Sequence, residues 1–522
     1  MTWFSKPCGS VGVRSWLAAI VGASALLTAT ASVAQNPIID QGSADPSVRV
    51  FGGRAYVYGS HDFSPSNTTW VMKDWKVFSS ADLVTWTDHG VVLDDDSLSW
   101  RGVTDRDYAP DAIFFNNKYY FYFPLGDGTI GVAGGDSPAG PFADMLGRPL
   151  VNGSTTPAYN IDPSAFQDTD GKRYLIWGNG SCYVAELNDD MTSFKSSPQK
   201  VTIAGAPAYK EGPFAWMYGG KHYLLYSRCG STCKDSLDYG VATSIRGPYT
   251  YKGTIISHGK KGNEHGSVFQ FNGQWYVAYH DLYPTDKFRK SRLELVHYNN
   301  NGDIPRVCPT DYGVGRYDGS TQIEAENYFD KSTNISYEDC TDVGDGFSVT
   351  TIENDSWLKF PKVDLGVGAT SIQARVAASS GANCIEIRLG SDTGTLVGTL
   401  DVPTSDQTWT TLSAELSDII AGVNDVFLVF KGGAGNLFKL NWIRFVPLGG
   451  LEDGGATNRD GGASSCGDSP DTNPPGCSCG IGGSSGHRPT SALLWILGIA
   501  GLALARRRFR VSEAAVSASA PE

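Results

Sequence analysis

Three acidic residues in this 522-residue chain have the types and the sequence surroundings needed for acid–base chemistry. Asp45 lies in ADPSV, Asp162 in IDPSAF and Glu211 in KEGPF, so each precedes Pro or Gly and then a strand-like run. Hydrolysis of a glycosidic bond with inversion uses one protonated carboxyl group to release the leaving oxygen and one carboxylate to activate water. A set of such carboxyl groups in one pocket would supply both.

The segments that carry these residues recur along the chain. Five runs rich in aromatic and β-branched residues begin at an acidic residue or histidine, with separations of 66, 51, 49 and 54 residues. That period is long enough for one four-stranded blade of a propeller. The heads of the runs are Asp45, Asp111, Asp162, Glu211 and His265.

Each run reads as a β-hairpin, because turn residues (GGR, NNK, TDGK, GGK and NGQ) separate two strand-like halves. We therefore predict an all-β fold with a five-bladed β-propeller over residues 35–316. Equivalent positions of the blades converge on the propeller axis, which would bring the carboxyl groups into one central pocket. Asp111 is expected to be structural, as a hydrogen-bond acceptor at the start of its blade.

A second β-rich region is predicted over residues 317–447, where strand-like segments such as SWLKFPKV and DVFLVFKG alternate with turns. Their number and length are typical of a β-sandwich (jelly-roll) domain. The formal net charge of −13 argues against nucleic acid and anionic membrane surfaces as partners. No GxxxxGK[ST] motif is present, so a phosphate-binding role has no support.

Both ends of the chain carry targeting signals. Residues 1–34 combine positive charge, an apolar run and a small-residue exit, which predicts a signal peptide and secretion. Residues 448–490 are rich in Gly, Ser and Pro and predict a disordered linker. Residues 491–522 contain an apolar stretch followed by an arginine cluster. This tail, with Cys477 or Cys479 as processing site, resembles the sorting tails of myxobacterial surface proteins and implies attachment at the outer cell surface.

The ten cysteines are interpreted as structural, because export exposes them to an oxidising environment and no metal-type CxxC pair is present. Cys229 and Cys233 flank a short loop and could form a local disulfide. Four further cysteines could pair in several ways that the sequence does not distinguish: Cys182, Cys308, Cys340 and Cys384.

With these motifs assembled, residues 38–310 resemble glycoside hydrolase family 43, whose members are five-bladed propellers acting on arabinose- and xylose-containing polysaccharides. The resemblance implies that Asp45 is the general base, that Glu211 is the general acid and that Asp162 tunes and orients Glu211. His265 resembles an axial histidine that contacts a metal or water, so a calcium ion near the propeller axis is an open expectation. Arg289 resembles an arginine that reaches the bound sugar.

Tyr108 stands where the same family commonly has Trp in a WAPD segment, so stacking on the sugar would be altered there. Residues 321–446 resemble carbohydrate-binding module family 6 through IEAENY, IENDSWLKF and LNWIRF. Glu324 and Glu326 fall where that family builds a structural calcium site, and oxygen ligands suit this ion. Modules of that family usually bind a sugar in a cleft between two aromatic side chains, with an Asn nearby. Here Thr351 and Asp406 stand at the positions of the aromatic residues and Lys439 at that of the Asn, so the resemblance implies that this usual cleft is altered.

The expected function is that of an inverting glycosidase that removes α-L-arabinofuranosyl side chains from arabinoxylan or arabinan, with similarity closest to arabinoxylan arabinofuranohydrolases. β-Xylosidase activity is the nearest alternative, and endo-arabinanase and an invertase-type propeller are weaker ones. An alternative of another class is a non-catalytic surface protein that binds carbohydrate. We expect no organic cofactor, and a monomer as the functional unit.

Overall fold

The structure is a computed structural model that describes residues 36–450, except 103–104, 207, 229–235, 258–264, 286, 311–312, 344–345 and 380–382. The predicted signal peptide, linker and sorting tail, and the Cys229–Cys233 loop, lie outside the described residues. The architecture is all-β: the only helices among the described residues are single 3-10 turns at Asp95–Ser97 and Ala325–Asn327. No helix in the described part is long and apolar enough to cross a membrane.

Five antiparallel sheets form the predicted five-bladed propeller, so the predicted fold class is confirmed. Blade 1 contains β1 (Ala44–Phe51), β2 (Arg54–Ser60), β3 (Asp74–Ser80) and β4 (Thr87–Asp94). Blade 2 contains β5 (Asp111–Phe115), β6 (Lys118–Leu125), β7 (Thr129–Gly135) and β8 (Ala143–Asp144). Blade 3 contains β9 (Ser164–Gln167), β10 (Arg173–Trp177), β11 (Tyr183–Glu186) and β12 (Gln199–Lys200).

The last two blades depart from this regular pattern. Blade 4 has a short parallel strand, β13 (Ile203–Ala204), beside β14 (Tyr209–Tyr218), β15 (Lys221–Arg228), β16 (Ser236–Ala242) and β17 (Tyr249–Ile256). Blade 5 has three strands, β18 (Gly266–Phe271), β19 (Gln274–Thr285) and β20 (Phe288–Val296). The chain before β1 runs along β20, where Ile38 N donates to Ser291 O at 2.9 Å and Ser43 N to Arg289 O at 3.0 Å. This contact closes the ring.

The five hairpins predicted from the sequence are the β1–β2, β5–β6, β9–β10, β14–β15 and β18–β19 pairs. Their tight turns contain residues with positive φ, for example Asn116 (48°) and Asn117 (59°) between β5 and β6. Asn tolerates this left-handed conformation better than most residues, which is why the NNK turn reverses the chain there. Neighbouring blades pack through apolar layers, such as Trp75 and Phe121 between blades 1 and 2.

The second domain is a sandwich built on one large buried apolar cluster. One sheet has the order β21 (Tyr317–Asp318), β26 (Trp357–Asp364), β31 (Val423–Lys431), β28 (Asn383–Leu389) and β29 (Thr395–Val402), with β23 (Asp330–Lys331) against β26. The other has the order β30 (Thr410–Ile420), β27 (Ala369–Ala377), β32 (Lys439–Pro447), β25 (Phe347–Thr350) and β24 (Ser336–Asp339), with β22 (Ile323–Glu324) against β32. A single residue pair, Gly398 with Leu416, joins the two sheets at one edge.

The sandwich packs against blade 5. The amide of buried Gln274 donates to the carbonyl oxygens of Glu326 and Tyr328, and Phe329 joins the apolar cluster shared by blades 5 and 1. The sequence left the pairing of the cysteines open; within the described residues, Cys182, Cys340 and Cys384 form no disulfide bond. Cys182 is instead packed in the apolar layer between blades 3 and 4.

Candidate active site

The three predicted acids lie together near the start of the innermost strands of blades 1, 3 and 4. Asp45, Asp162 and Glu211 are all buried, with 7%, 5% and 7% of their surfaces exposed. His265 links them: its Nδ1 lies 3.1 Å from Asp45 Oδ1, and its ring lies against Gly212. Gly212 follows Glu211 in the chain, and its backbone N–H donates to Asp162 Oδ2 at 3.1 Å. The structure thus brings together the residues that the sequence analysis singled out.

Local backbone irregularities aim these side chains. A β-bulge interrupts the β1–β2 pairing between Ala44 and Ser47, and register shifts flank Glu211 in β14. Asp45 and Asp162 have φ of 53° and 57°, in the left-handed region that costs an ordinary residue about 1–2 kcal/mol. Bulges and strained residues of this kind concentrate at active sites, where they redirect a side chain out of the regular sheet.

Asp45 is held by a buried cation. Arg289 Nη1 donates to Asp45 Oδ1 at 2.8 Å, while Arg289 Nε and Nη2 donate to the two oxygens of Asp62 at 3.0 and 2.9 Å. Burial alone would raise the pKa of Asp45, but Arg289 and the ring of His265, 3.1 Å away, hold that pKa well below its usual value. Asp45 therefore stays a carboxylate to lower pH than an exposed aspartate does.

Arg289 was expected to reach the sugar. In the structure its donors are directed to Asp45 and Asp62, and its guanidinium lies 4.6 Å from the centre of the Trp70 ring. This arrangement makes Arg289 a residue that positions Asp45 and fixes its charge.

Glu211 has the opposite electrostatic environment. Burial raises the pKa of Glu211, an effect that Lys210 and His265 oppose and that the charge of Asp45 reinforces. Asn179 donates from its side-chain amide to Glu211 Oε2, and Lys210 Nζ lies 3.8 Å from Oε1. Glu211 therefore holds a proton to higher pH than an exposed glutamate does.

Asp162 and His265 complete the charge pattern. Burial raises the pKa of Asp162 to about 7, with His265 opposing and the charges of Glu211 and Asp45 adding to the shift. The backbone N–H of Gly212 donates to Asp162 Oδ2 at 3.1 Å. Burial disfavours the charged ring of His265, but Asp162 and Asp45 prevail and raise its pKa to about 9.

Tyr108 lies beside another tyrosine, Tyr159. Its side chain is half-buried and its hydroxyl group accepts a hydrogen bond from Arg106 at 3.3 Å. Tyr159 is 41% exposed, interacts with Tyr108 and contributes to the electrostatic environment that includes Asp162. The two tyrosines provide aromatic surface beside the carboxyl groups.

Four residues of this site were not predicted from the sequence: Ser60, Asp62, Asn179 and His280. Ser60 donates to Asp45 Oδ2, and the buried Nδ1 of His280 accepts from the backbone N–H of Asp45 at 3.0 Å. The sequence could have indicated three of them only through their place in the repeated runs. Ser60 and Asp62 lie at the end of the first hairpin, and His280 lies in the returning strand of the fifth run.

Asp111 has the structural role predicted for it. It is fully buried and accepts hydrogen bonds from Ser47 Oγ, from Nε and Nη2 of Arg49 and, at 2.6 Å, from the backbone N–H of Ala165. It therefore ties blades 1, 2 and 3 together beneath the acids.

Metal ions were predicted at two positions, near His265 at the propeller axis and at Glu324 and Glu326 in the sandwich, and within the described part of the chain the two differ in the ligands they offer. Among the described residues, the only group of three His, Cys, Asp or Glu side chains within metal-binding distance is Asp94, Asp95 and Asp96, away from the axis. In the sandwich, buried Glu326 has one carboxylate oxygen without a hydrogen-bond partner, and burial together with the charge of Glu324 raises its pKa well above the usual value. A buried carboxylate with an unpartnered oxygen, next to the half-buried carboxylate of Glu324, fits a bound cation.

The usual sugar cleft of the sandwich is altered as the sequence indicates. Thr351 Oγ1 lies 2.7 Å from Ser336 Oγ, and Lys439 Nζ forms an ion pair with Glu338 at 2.5 Å. These side chains are engaged with their neighbours and provide no aromatic plane for a sugar ring.

The buried site of the five-bladed propeller combines a carboxylate of lowered pKa, Asp45, with a carboxyl group of raised pKa, Glu211, which are the base and the acid that hydrolysis of a glycosidic bond uses. Residues 34–304 match the family described as "Glycosyl hydrolases family 43", and residues 324–447 match "Carbohydrate binding module (family 6)". Because the first match covers more than half of the chain, the protein belongs to glycosyl hydrolase family 43 and is an enzyme that hydrolyses glycosidic bonds.

The "Arabinoxylan arabinofuranohydrolase" of Bacillus subtilis (strain 168) is 33% identical over 501 residues, covering 82% of this chain and 97% of that protein. The "Xylosidase/arabinosidase" of Bacteroides ovatus is 32% identical over 314 residues, covering 50% of this chain and 93% of that protein. Among solved structures, a family 43 arabinoxylan arabinofuranohydrolase from Bacillus subtilis in complex with cellotetraose has 32% identity and a TM-score of 0.49, covering 80% of this chain and 98% of that one.

Proposed function

We propose that this protein removes α-L-arabinofuranosyl side chains from arabinoxylan or arabinan with inversion at the anomeric carbon. The observation that carries the proposal is the contrast at one buried site between Asp45, whose pKa is lowered, and Glu211, whose pKa is raised. The choice of sugar is supported by the similarity to the Bacillus subtilis arabinoxylan arabinofuranohydrolase, which extends over both domains.

In this mechanism Asp45 accepts a proton from a water molecule as the water oxygen attacks the anomeric carbon. The bond from that carbon to the glycosidic oxygen breaks, and Glu211 gives its proton to the departing oxygen. Asp162 accepts a hydrogen bond from the backbone N–H of Gly212, next to Glu211, and so orients the segment that carries the acid. One general base and one general acid each contribute about 10²–10⁴-fold to such reactions.

The hydrogen-bond partners of the two acids support the assignment of Asp45 as base and Glu211 as acid. The Asp45 carboxylate is oriented by Arg289 and Ser60, and Glu211 is held by Asn179. Because these contacts are made within the protein, the carboxyl groups do not have to reorganise when substrate binds.

The test is release of arabinose against xylose from wheat arabinoxylan and debranched arabinan, with Glu211→Gln alongside. Arabinose release that Glu211→Gln abolishes on polymer but reduces less on an aryl arabinofuranoside supports the proposal, because an aryl leaving group needs little protonation. NMR detection of the inverted anomer as first product tests the stereochemistry. Retention of configuration would overturn the assignment of Asp45 as a base.

A second candidate is β-xylosidase activity on the same site, favoured by the similarity to the Bacteroides ovatus xylosidase/arabinosidase. Xylose as the only product of the same assay would select it and would keep the roles of Asp45 and Glu211. Binding of polymer without release of either sugar would instead select the non-catalytic carbohydrate-binding protein.

We further propose that Glu324 and Glu326 hold a structural calcium ion in the sandwich. The unpartnered oxygen of Glu326 and the mutual repulsion of the two carboxylates support a cation there. The ion would stabilise the fold of the sandwich and would take no part in hydrolysis.

We also propose that the protein is exported and attached to the outer cell surface. The support is the sequence of residues 1–34 and of residues 491–522. Fractionation of intact cells of the source organism, with protease shaving, would test this, since protection of the enzyme in intact cells contradicts surface attachment.

A further inference from the structure

A cleft of about 540 Å³ opens between blades 4 and 5 and the sandwich. We call it the junction cleft. Its wall is formed on the propeller side by Tyr218, Lys221, Trp275, Asn300 and Asn301, and on the sandwich side by Tyr337 and its neighbours. It is separate from the candidate active site, since none of the three acids lines it.

The propeller wall of the junction cleft is a rigid aromatic stack. The Tyr218 ring lies parallel to that of buried Tyr298, at 3.5 Å and 7°, and meets the edges of Trp275 at 5.9 Å and Tyr223 at 6.2 Å. Because Tyr298 covers one face of Tyr218 and Tyr218 is only half-buried, the opposite face is the surface left for the cleft.

The two domains hold this stack together. Tyr337 of the sandwich accepts a hydrogen bond at its hydroxyl group from the backbone N–H of Tyr298, at 3.3 Å. Gln274, adjacent to Trp275, donates to two carbonyl groups of the sandwich. The cleft is therefore preformed, so a ligand would not have to order its wall.

The charges and hydrogen-bonding groups of the residues that line the junction cleft indicate which class of ligand it binds. Within the described part of the chain, no Asp or Glu lines the junction cleft, although the chain has 55 acidic residues. Exposed amides of Asn300 and Asn301, the hydroxyl of Ser336 and the amine of Lys221 surround the rings instead. The amine of a second lining lysine, Lys331, is already engaged, since it donates to the backbone carbonyl of Ile335. Aromatic faces with amide and hydroxyl groups around them match the apolar faces and equatorial hydroxyl groups of pyranose rings.

We propose that the junction cleft binds a neutral β-linked pyranose chain and so holds the polysaccharide at a second point while the active site works on it. That this chain is the backbone of a pentosan rests on the proposed function. The cleft supplies the aromatic platform that Thr351 and Asp406 do not provide in the usual cleft of the sandwich.

The experiment measures binding of xylohexaose and of soluble arabinoxylan by calorimetry, in the full chain carrying Glu211→Gln so that the polymer stays intact. Trp275→Ala removes a ring, and Ser336→Arg blocks the cleft from an exposed position without removing packing. Phe114→Ala, at a 40% exposed ring outside the cleft, is the matched control. We expect affinity to fall about 5-fold or more in both cleft variants and to stay unchanged in the control.

The same substitutions in the active enzyme should raise KM for arabinoxylan and leave kcat/KM for an aryl arabinofuranoside unchanged. Unchanged affinity for arabinoxylan in folded Ser336→Arg overturns the proposal. Binding of a glucuronate-bearing xylan but not of xylohexaose overturns it too, because the ligand would then be an anion. Loss of activity on the aryl arabinofuranoside in the cleft variants also overturns it, because the substitutions would then act on the active site. If the active enzyme releases no arabinose while cleft variants still lose xylohexaose binding, the proposed function fails and this inference stands. If arabinose is released while the cleft variants bind xylohexaose unaltered, the proposed function stands and this inference fails.

Discussion

Arg289 and Asp45 form a buried ion pair, with Nη1 of the guanidinium 2.8 Å from Oδ1 of the carboxylate and both side chains less than 10% exposed. The pair joins β20 of the last blade to β1 of the first. The same guanidinium binds Asp62 through two nitrogens, so its orientation is fixed on both sides. The Arg289 side chain therefore adds a buried ion pair to the backbone contacts that close the ring, and it holds the charge of the proposed base.

Arg289→Lys should shift the acid side of the pH–activity profile to higher pH. Lysine keeps the positive charge but lacks the planar guanidinium whose three nitrogens bind Asp62 and Asp45 together. Because Asp45 loses this hydrogen bond and the charge moves away, its pKa rises towards its ordinary value. Displacement of the carboxylate should also lower kcat by about 10²-fold. The measurement is kcat/KM on an aryl arabinofuranoside from pH 3 to 8, with Lys290→Arg as the neighbouring control; an unmoved acid side would contradict the assigned role.

Asp162→Asn should remove a pH dependence of stability. The carboxyl has a pKa of about 7 in the folded protein against an ordinary value of 3.8, so the native state binds more protons than the unfolded state between these values. Stability contributed by Asp162 is therefore fully present below about pH 4 and is lost as pH rises towards 7. Asn can still accept from Gly212 N–H.

Urea unfolding of both forms between pH 4 and pH 8 checks this. We expect the difference in unfolding free energy, variant minus wild type, to grow in favour of Asp162→Asn as pH rises. A constant difference would mean that Asp162 titrates normally.

The blade period was enough to predict the propeller, because five hairpins at similar spacing can bury their faces only against one another. Asp111 was predicted to be a structural hydrogen-bond acceptor from its position at the start of a blade, and its contacts with Ser47, Arg49 and Ala165 agree with this. The three-stranded last blade was not predictable, because its closure depends on Ile38 and Ser43 pairing with a strand more than 240 residues away.

The roles of Arg289 and His280 were also beyond sequence reasoning. Both depend on the left-handed backbone of Asp45 and on the bulge beside it, which turn its carboxylate towards blade 5. An Asp before Pro does not predict a left-handed backbone, since Pro disfavours helical conformations in the preceding residue. Tertiary contacts impose it.

Asp111→Ala should destabilise the propeller by about 3 kcal/mol or more, because it leaves the Arg49 guanidinium and the Ala165 N–H without their buried acceptor. Asp170→Ala, in an exposed turn of blade 3, should cost less than about 0.5 kcal/mol. Chemical denaturation of the two variants provides the comparison. Equal costs would show that Asp111 does not tie the blades together.

Calcium should stabilise the sandwich, by about 2.7 kcal/mol when the ion is roughly 100-fold above its Kd. Removal of calcium with EDTA should then lower the melting temperature, and added Ca²⁺ should restore it. Glu326→Gln should abolish this response, whereas Glu415→Gln, on an exposed strand position, should keep it. A melting temperature indifferent to both EDTA and Ca²⁺ would remove the proposed ion.

Gly212→Ala should inactivate the enzyme, because a Cβ at this position would lie 2.3 Å from Cδ2 and 2.5 Å from Nε2 of His265. The added methyl group would push His265 away from Asp45 and disturb the N–H that Gly212 donates to Asp162. Gly212 also has a φ of 64°, so alanine adds backbone strain of about 1 kcal/mol.

Gly220→Ala separates the two effects, because Gly220 has a φ of 73° but no atom near its missing Cβ. Both variants should lose a similar amount of stability from backbone strain, measured by thermal unfolding. Only Gly212→Ala should lose activity, by about 10²-fold in kcat on an aryl arabinofuranoside, since it alone displaces a side chain of the site. Equal activity in the two variants would show that the contact of Gly212 with His265 does not position the catalytic groups.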